Sequence, residues 1–360
     1  LHSFPTRRSS DLYAYFSIMY ILWGMTYTIM DIPYWSMIPA LTSSKEEREQ
    51  VAVIPRIFAS TAWLIMGTFG LSIVKKLGNG NVVKGYSSFA VVIAVTFIIS
   101  AIITCLNVKE RVETPKNAEK VSFKQTLNII RKNDQLLVFI GIVLGMNLIM
   151  QISGSMAIYY FTYVVGKESL FSVYQAFAGI AEISGLVLLP ILTKKIGRED
   201  VFKFGSILPI AGFLLLFVAG IVAPQNALFI GMAGAILKLG SGFLLGSTTI
   251  MLADVVDYGE FKLGTRNESI VFSVQTLLVK GASAVAGWLV GVGLSLVGYV
   301  AGEVQSATTI LGMRVIMIWI PIVCAIVMYT IYKSKYKING KFHDDMLVEL
   351  EKRKKANDAI

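Results

Sequence analysis

Charged residues are scarce in this chain, and so are cysteine and histidine. Only 16% of its 360 residues are charged and 55% are hydrophobic, whereas about 25% of residues are charged in ordinary soluble domains. The two cysteines, Cys105 and Cys324, and the two histidines, His2 and His343, are too few and too scattered for a disulfide framework, a zinc site or a haem site. The composition therefore argues against a soluble enzyme, and we expect neither a resident metal nor a cofactor.

Long apolar runs are present instead, and the mean hydropathy is +0.66. A membrane-spanning helix needs about 20 predominantly apolar residues. That criterion predicts nine spans, at 13–41, 51–74, 85–106, 136–163, 171–193, 201–222, 227–256, 269–299 and 311–333. Runs of this length exclude the short strands of a membrane barrel, so the sequence predicts an all-α, polytopic membrane protein.

Residues 1–12, LHSFPTRRSSDL, have neither a helical period nor the apolar stretch of a signal peptide. From His2 onwards they match one reading frame of a common sequencing adapter. We therefore expect an artefact fused to a gene fragment, and the alternative is a genuine disordered basic tail. Native sequence then begins near Tyr13, inside a span, and the residues that precede it are missing.

Basic residues are concentrated in alternate loops. If successive loops lie on opposite sides of the membrane, one set holds 22 Lys and Arg residues and the other set holds four. The basic set comprises 42–50, 107–135, 194–200, 257–268 and the tail from 333. The positive-inside rule places this set in the cytoplasm. We therefore read the net charge of +10 as membrane topology and do not expect a nucleic acid partner.

The polar stretch 107–135 divides the predicted spans into three before it and six after it. Three further spans at the N-terminus would give six plus six, which is the layout of a transporter with two halves. The expected organisation is the remainder of an N-terminal six-helix bundle at 13–106, a central cytoplasmic loop at 107–135, a C-terminal six-helix bundle at 136–333 and a cytoplasmic tail at 334–360, which we expect to be helical.

Ionisable side chains at bilayer depth are costly, so each is a candidate functional residue. The candidates are Asp31, Arg56, Glu182, Lys238, Asp254 and Lys280. At about 1.5 Å of rise per residue, Asp31 and Lys280 both lie about 15 Å from the cytoplasmic ends of their spans. They belong to opposite halves, and a transporter of this layout binds its substrate between the halves.

The span that carries Asp31 places several polar and aromatic residues beside it. Tyr27, Asp31 and Trp35 are spaced i, i+4, i+8, and Thr28 precedes Asp31 by three residues, so all four share one helical face. A carboxylate accepts hydrogen bonds from sugar hydroxyls, and an aromatic ring covers the C–H face of a pyranose. Oxygen atoms of this kind also suit a sodium ion. The alternative is a structural ion pair between Asp31 and Arg56.

Three of the other candidates have weaker contexts. Three alternatives are open for Glu182 and Lys238: the two residues pair with each other, they line the cavity, or Lys238 extends towards the membrane surface. We assign neither residue a role. Asp254 is followed by Asp257 and Glu260 near the end of its span. We expect Asp254 to lie at a solvated helix end or in a gate salt bridge.

Two blocks carry a family resemblance. The segments YTIMDIPYWSMIPALTSSKEEREQ at 27–50 and ADVVDYGEFKLGTRNESI at 253–270 resemble those of the glycoside–pentoside–hexuronide:cation symporters, a branch of the major facilitator fold. The resemblance runs from about Tyr13 to Lys341. It implies twelve helices, of which about nine, the fourth to the twelfth, are present here.

The resemblance also implies site residues. By matching motif, the sugar-binding residues are Asp31, Trp35, Arg56, Tyr27 and Lys280, and the cation-binding residues are Thr28 and Asp31. The family's acidic cation ligands on the second helix are absent, so sodium, lithium and protons all remain open as the coupling ion. One family member has a tryptophan where this chain has Leu245, so galactosides, pentosides and glucuronides also remain open.

The function expected from these observations is uptake of a sugar coupled to entry of a monovalent cation across the bacterial inner membrane. The bilayer, a small-molecule sugar and that cation are the expected partners. As a gate, Arg48 of the 42–50 loop would pair with Asp254, Asp257 or Glu260 when the carrier is closed to the cytoplasm. A sugar-binding sensor that moves nothing is the alternative. An intramembrane enzyme is disfavoured because no span contains a histidine or a metal-binding motif.

Overall fold

A computed structural model of the chain describes residues 6–37, 45–108, 123–265 and 267–357. Every regular element in these ranges is a helix. They are α1 (Thr6–Ser36), α2 (Lys45–Gly78), α3 (Val82–Asn107), α4 (Phe123–Lys132), α5 (Asp134–Tyr159), α6 (Ser169–Ile196), α7 (Arg198–Val222), α8 (Ala227–Leu263), α9 (Glu268–Leu296), α10 (Ala307–Arg314), α11 (Ile320–Lys335) and α12 (Gly340–Asn357). A π-helical turn, Tyr160–Val164, extends α5, and a second one, Val315–Trp319, joins α10 to α11. The all-α prediction is confirmed.

Eight helical segments among the described residues are long and apolar enough to cross a membrane, and they correspond to the last eight predicted spans. Helix α1 corresponds to the first prediction but is not among the eight. Its tyrosine and threonine residues lower its hydropathy. It also begins at Thr6, seven residues before the expected start at Tyr13. The adapter origin of residues 1–12 stays a prediction.

Part of the central stretch 107–135 is helical and not loop. Helix α4 forms there because Ile129 and Ile130 pack against the hydrophobic core, which offsets the cost of ordering a short polar segment. The expected helix in the tail is confirmed as α12.

The chain forms two compact units. The first comprises Leu1–Ala59 and Tyr86–Glu119, and the second comprises Ser60–Gly85 and Lys120–Ile360. Residues 60–85 belong to the second unit because the C-terminal half of α2 packs on α6 through contacts such as Leu64 with Gly179. The assignment of 13–106 to an N-terminal bundle stays a prediction.

The core of the second unit lies where α5, α7, α8, α9 and α11 meet. Its largest fully buried side chains include Phe139, Tyr160, Phe202 and Phe213. Helix α8 packs closely on both α6 and α7, and small residues permit this. A Cβ atom on Gly212 of α7 would lie only 2.5 Å from the backbone nitrogen of Leu237 in α8.

Side-chain contacts group the connections of the second unit at two ends. At one end, Asn133 donates to the carbonyl of Val255 (3.3 Å), and Gln135 accepts from the backbone of Lys337 (2.8 Å). At the other end, Tyr299 donates to Tyr163 (3.1 Å). The start of α5, the C-terminal part of α8 and the segment before α12 therefore share one end. The side of the membrane on which this end lies stays a prediction.

Candidate functional site

Helix α1 holds three of the predicted site residues side by side. Asp31 and Thr28 are half-buried, and Tyr27 is 45% exposed. The Thr28 hydroxyl donates to the carbonyl of Gly24, one turn earlier, at 2.8 Å. Because its hydrogen is used in that bond, any further contact to the Thr28 oxygen must come from a donor or a cation.

Aromatic rings continue this helix face away from Asp31. Tyr27 stacks on Trp23 (5.9 Å between ring centroids), Trp23 contacts Tyr20 (6.1 Å), and Tyr20 stacks on Phe16 (6.1 Å). This row of rings was not predicted from the sequence, although the spacing of four, three and four residues places the rings on one helical face. An apolar, π-rich surface therefore leads to the carboxylate.

The remaining predicted sugar ligands are distributed over other helices. Trp35 lies in α1 and Arg56 in α2, and Arg48 of the predicted gate also lies in α2, but their side chains are outside the described part of the structure. Lys280 lies in α9 of the second unit and is half-buried. The proximity of Asp31 to Lys280 stays a prediction.

Glu182 and Lys238, for which three contexts were open, form an ion pair. The Lys238 ammonium donates to Glu182 Oε2 at 2.7 Å, and the two side chains are 19% and 16% exposed. They join α6 to α8 beside a small recess, whose other lining residues include Ser60, Trp63 and Gln175. Pairing of the two residues is confirmed.

Of the two alternatives predicted for Asp254, the solvated helix end is wrong, whereas a salt bridge is present. The residue is only 7% exposed, because α12 and the segment before it cover the end of α8. Its carboxylate pairs with Arg198 at 3.4 Å and lies 3.3 Å from Nε2 of His343. The Tyr336 hydroxyl donates to it at 3.5 Å. Burial raises the pKa of Tyr336, so this phenol stays protonated and remains a donor.

Asp134 organises a second cluster at the same end of the unit. It accepts from Lys262 and from the Tyr258 hydroxyl (2.8 Å), and Lys337 lies 3.6 Å away. The cluster therefore ties the start of α5 to the end of α8 and to the segment that leads into α12. Asp257 and Glu260 lie in the last two turns of α8, and their part in a gate stays a prediction.

Comparison with known proteins gives the family. The model of the family described as MFS/sugar transport protein matches residues 1–340. The chain belongs to this family. The resemblance to glycoside–pentoside–hexuronide transporters is thereby confirmed.

Relatives of this sugar transport protein are similar along most of the chain. An isoprimeverose transporter of Lactiplantibacillus pentosus is 30% identical over 347 residues, which are 95% of this chain and 71% of the relative. A putative sulfoquinovose importer of Salmonella typhimurium is 30% identical over 96% of this chain and 72% of the relative. A raffinose carrier protein of Pediococcus pentosaceus is 28% identical over 94% and 53%, respectively.

Membership of the family settles several expectations about this transporter. It is a multi-pass membrane protein with the major facilitator fold, it transports sugar, and it is not an enzyme. Sequence reasoning missed Arg198, Tyr336 and His343 as partners of Asp254. His343 is 89 positions from Asp254, and no periodic pattern relates residues so far apart, so only the folded chain brings them together.

Proposed function

We propose that this sugar transporter couples uptake of a glycoside to the entry of sodium, lithium or protons by alternating access. The observation that carries the proposal is the arrangement on α1, where the half-buried Asp31 carboxylate lies one turn from the Thr28 oxygen. The names of the relatives, an isoprimeverose transporter and a raffinose carrier protein, support a glycoside substrate.

Coupling follows from electrostatics. An ionised carboxylate within a membrane helix is costly, and a bound cation reduces that cost. The carboxylate then remains an anionic acceptor for sugar hydroxyls, whose hydrogen bonds to a charged group contribute about 1.5–3 kcal/mol each. Each ligand therefore favours binding of the other, and this coupling is reciprocal.

Each predicted site residue has a role in this mechanism. Asp31 and Thr28 hold the cation, and Asp31 also accepts sugar hydroxyls. Arg56 and Lys280 donate hydrogen bonds to the sugar, and the guanidinium of Arg56 is a planar group with several donors. The rings of Trp35 and Tyr27 cover the apolar face of the sugar. Arg48 closes the cytoplasmic gate with Asp257 and Glu260 at the end of α8. Asp254, the third acidic residue predicted for the gate, is already paired with Arg198.

The membrane orientation is part of the proposal. The excess of basic residues in one set of loops, 22 against four, supports a cytoplasmic position for α12 and for the clusters at Asp254 and Asp134. The membrane is then the inner membrane of a bacterium.

The test is uptake of radiolabelled galactoside, xyloside and glucuronide by cells that express the transporter from its native reading frame. We expect one of them to enter faster with sodium or at lower external pH, and Asp31→Asn to abolish that stimulation. Thr28→Ala should raise the cation concentration needed for half-maximal uptake.

Thr26→Ala is the matched control for Thr28→Ala. Its hydroxyl bonds to carbonyls of its own helix in the same way, but Thr26 is exposed, so we expect native uptake. Cation-stimulated uptake that is unaffected by Asp31→Asn would contradict the proposed site. Sugar binding without any uptake would indicate a sensor.

A further inference from the structure

The Glu182–Lys238 pair lies in a close contact between α6 and α8 of the second unit. On α8, glycines at 234, 242 and 246 face α6, and Lys238 occupies the same face, four residues from two of them. A Cβ atom on Gly242 would lie 2.4 Å from the carbonyl oxygen of Glu182. The two helix backbones therefore fix both charged residues within a turn of a rigid contact.

The pair also lies deep in its helices. Glu182 is 13 residues from the start of α6, about 20 Å at 1.5 Å of rise per residue, and Lys238 is 11 residues, about 17 Å, from the start of α8. The apolar core of a bilayer is about 30 Å thick. Both charges consequently lie near mid-membrane depth, where ionisable residues are costly and mark substrate or ion pathways.

A small recess opens beside the pair, and Ser60, Trp63 and Gln175 also line it. The Gln175 side chain lies against Gly67 of α2, where a Cβ atom would approach its Nε2 atom to 2.9 Å. Trp63, also on α2, contributes an indole ring that is 66% exposed.

These groups match the surface of a sugar. A carboxylate accepts hydrogen bonds from adjacent hydroxyls, the ammonium has two donors beyond the one that Glu182 takes, and the amide both donates and accepts. The indole is an apolar plate with a π face. Because Glu182 and Lys238 cancel each other's charge, the recess favours an uncharged ligand over an anionic one.

We propose that Glu182, Lys238, Gln175 and Trp63 form a subsite for the hydroxyl groups of a neutral glycoside, and that the Glu182–Lys238 pair sets the preference for neutral over anionic sugars. The subsite rests on the proposed function, because it acts on the sugar that the transporter carries. It shares no residue with the cation site proposed on α1.

The first experiment compares the uptake kinetics of the galactoside, xyloside and glucuronide in the native protein and single variants. Glu182→Gln removes a charged acceptor, so we expect the KM of the neutral sugar to rise about 10- to 100-fold, the loss typical of a hydrogen bond to a charged group. It also leaves the Lys238 ammonium without its counter-charge, so relative uptake of glucuronide should increase. Lys238→Gln should decrease it.

Ser184→Ala is the control on the same helix. Its hydroxyl bonds to the carbonyl of Ile180 in α6, and Ser184 is not among the residues that line the recess. We expect native KM values and native sugar preference from this variant.

The exchanged pair, Glu182→Lys with Lys238→Glu, separates recognition from folding. It keeps an ion pair between α6 and α8 but exchanges the positions of donor and acceptor. The subsite predicts normal amounts of protein in the membrane and a raised sugar KM. Native KM values and sugar preference in both the exchanged pair and Glu182→Gln would overturn the subsite.

The failures of the two proposals are distinguishable. If Asp31→Asn abolishes cation-stimulated uptake while every Glu182 and Lys238 variant keeps the native KM and preference, the subsite is wrong and the proposed function stands. If the native protein takes up none of the three sugars with any cation, both are overturned.

Discussion

At the scale of single residues, the contrast between Asp254 and Glu182 shows two uses of a carboxylate. Asp254 is covered by α12 and shared among Arg198, His343 and Tyr336, at distances of 3.3–3.5 Å. Glu182 has one short ion pair and borders an open recess. The first arrangement holds a helix end in place, whereas the second leaves acceptor capacity for a ligand.

Asp254→Asn should destabilise the protein. It removes the negative charge that pairs with Arg198, and we expect a loss of about 1–2 kcal/mol, because the Arg198 side chain is 50% exposed and solvent screens part of the interaction. Thermal unfolding of the detergent-purified protein measures the effect. Asp345→Asn, on the exposed side of α12, is the control and should change stability by less than about 0.5 kcal/mol. Equal unfolding temperatures for the two variants would contradict a stabilising role for Asp254.

The residue types at the candidate site could be read from the sequence, but their partners could not. Charge at mid-span depth identified Glu182 and Lys238, and helical spacing placed Tyr27, Thr28 and Asp31 together. The 2.7 Å contact between Glu182 and Lys238 depends on the rotation of two helices about their axes. That rotation is set by interhelical packing, which single-residue hydropathy does not encode.

At the scale of elements, glycines determine which helices meet. The face of α8 that packs on α6 carries Gly234 against Tyr174, Gly242 against Gly185 and Gly246 against Leu189. Small residues at this spacing allow close backbone approach in membrane helices. Sequence periodicity predicted each helix but did not assign its partner.

Gly242→Ala should therefore disrupt the contact between α6 and α8. Its Cβ atom would lie 2.4 Å from the Glu182 carbonyl oxygen and 3.1 Å from the Gly185 Cα atom, and backbone atoms cannot move aside by changing rotamer. We expect a destabilisation of about 1–3 kcal/mol, the usual cost of overpacking, measured by thermal unfolding.

Gly154→Ala is the matched control, since a Cβ atom there has no other atom within 4 Å to meet and the residue lies within α5. Alanine favours a helix over glycine by up to about 1 kcal/mol, so we expect unchanged or increased stability. A Gly242→Ala protein as stable as Gly154→Ala would show that α6 and α8 tolerate a wider separation.

Helices α4 and α12 are each stabilised by contacts with other parts of the fold. Helix α4 forms within a stretch that composition presented as a polar loop, because Ile129 and Ile130 find apolar partners. Helix α12 docks through Met346, which is 1% exposed, and through Arg353, which donates to the carbonyl of Phe261 at 3.0 Å. These partners lie far away along the chain.

At the scale of the whole molecule, the fold class was predictable because it follows from composition. Apolar length sets the number of spans, and the distribution of Lys and Arg groups the connections. The contacts of Asn133, Gln135 and Lys337 bring three of the basic connections of the second unit to one end. The sugar and the cation depend on side-chain geometry, so composition leaves them open.

The most direct test of cation-coupled transport is accumulation of the sugar against its own gradient. Membrane vesicles that contain the native transporter receive an inward sodium gradient or an inward proton gradient, with labelled galactoside, xyloside or glucuronide outside. We predict that one gradient drives the internal concentration of one sugar above the external one, and that dissipating the gradient with an ionophore abolishes this accumulation. Equilibration of the sugar to equal concentrations, whatever the cation gradient, would contradict symport.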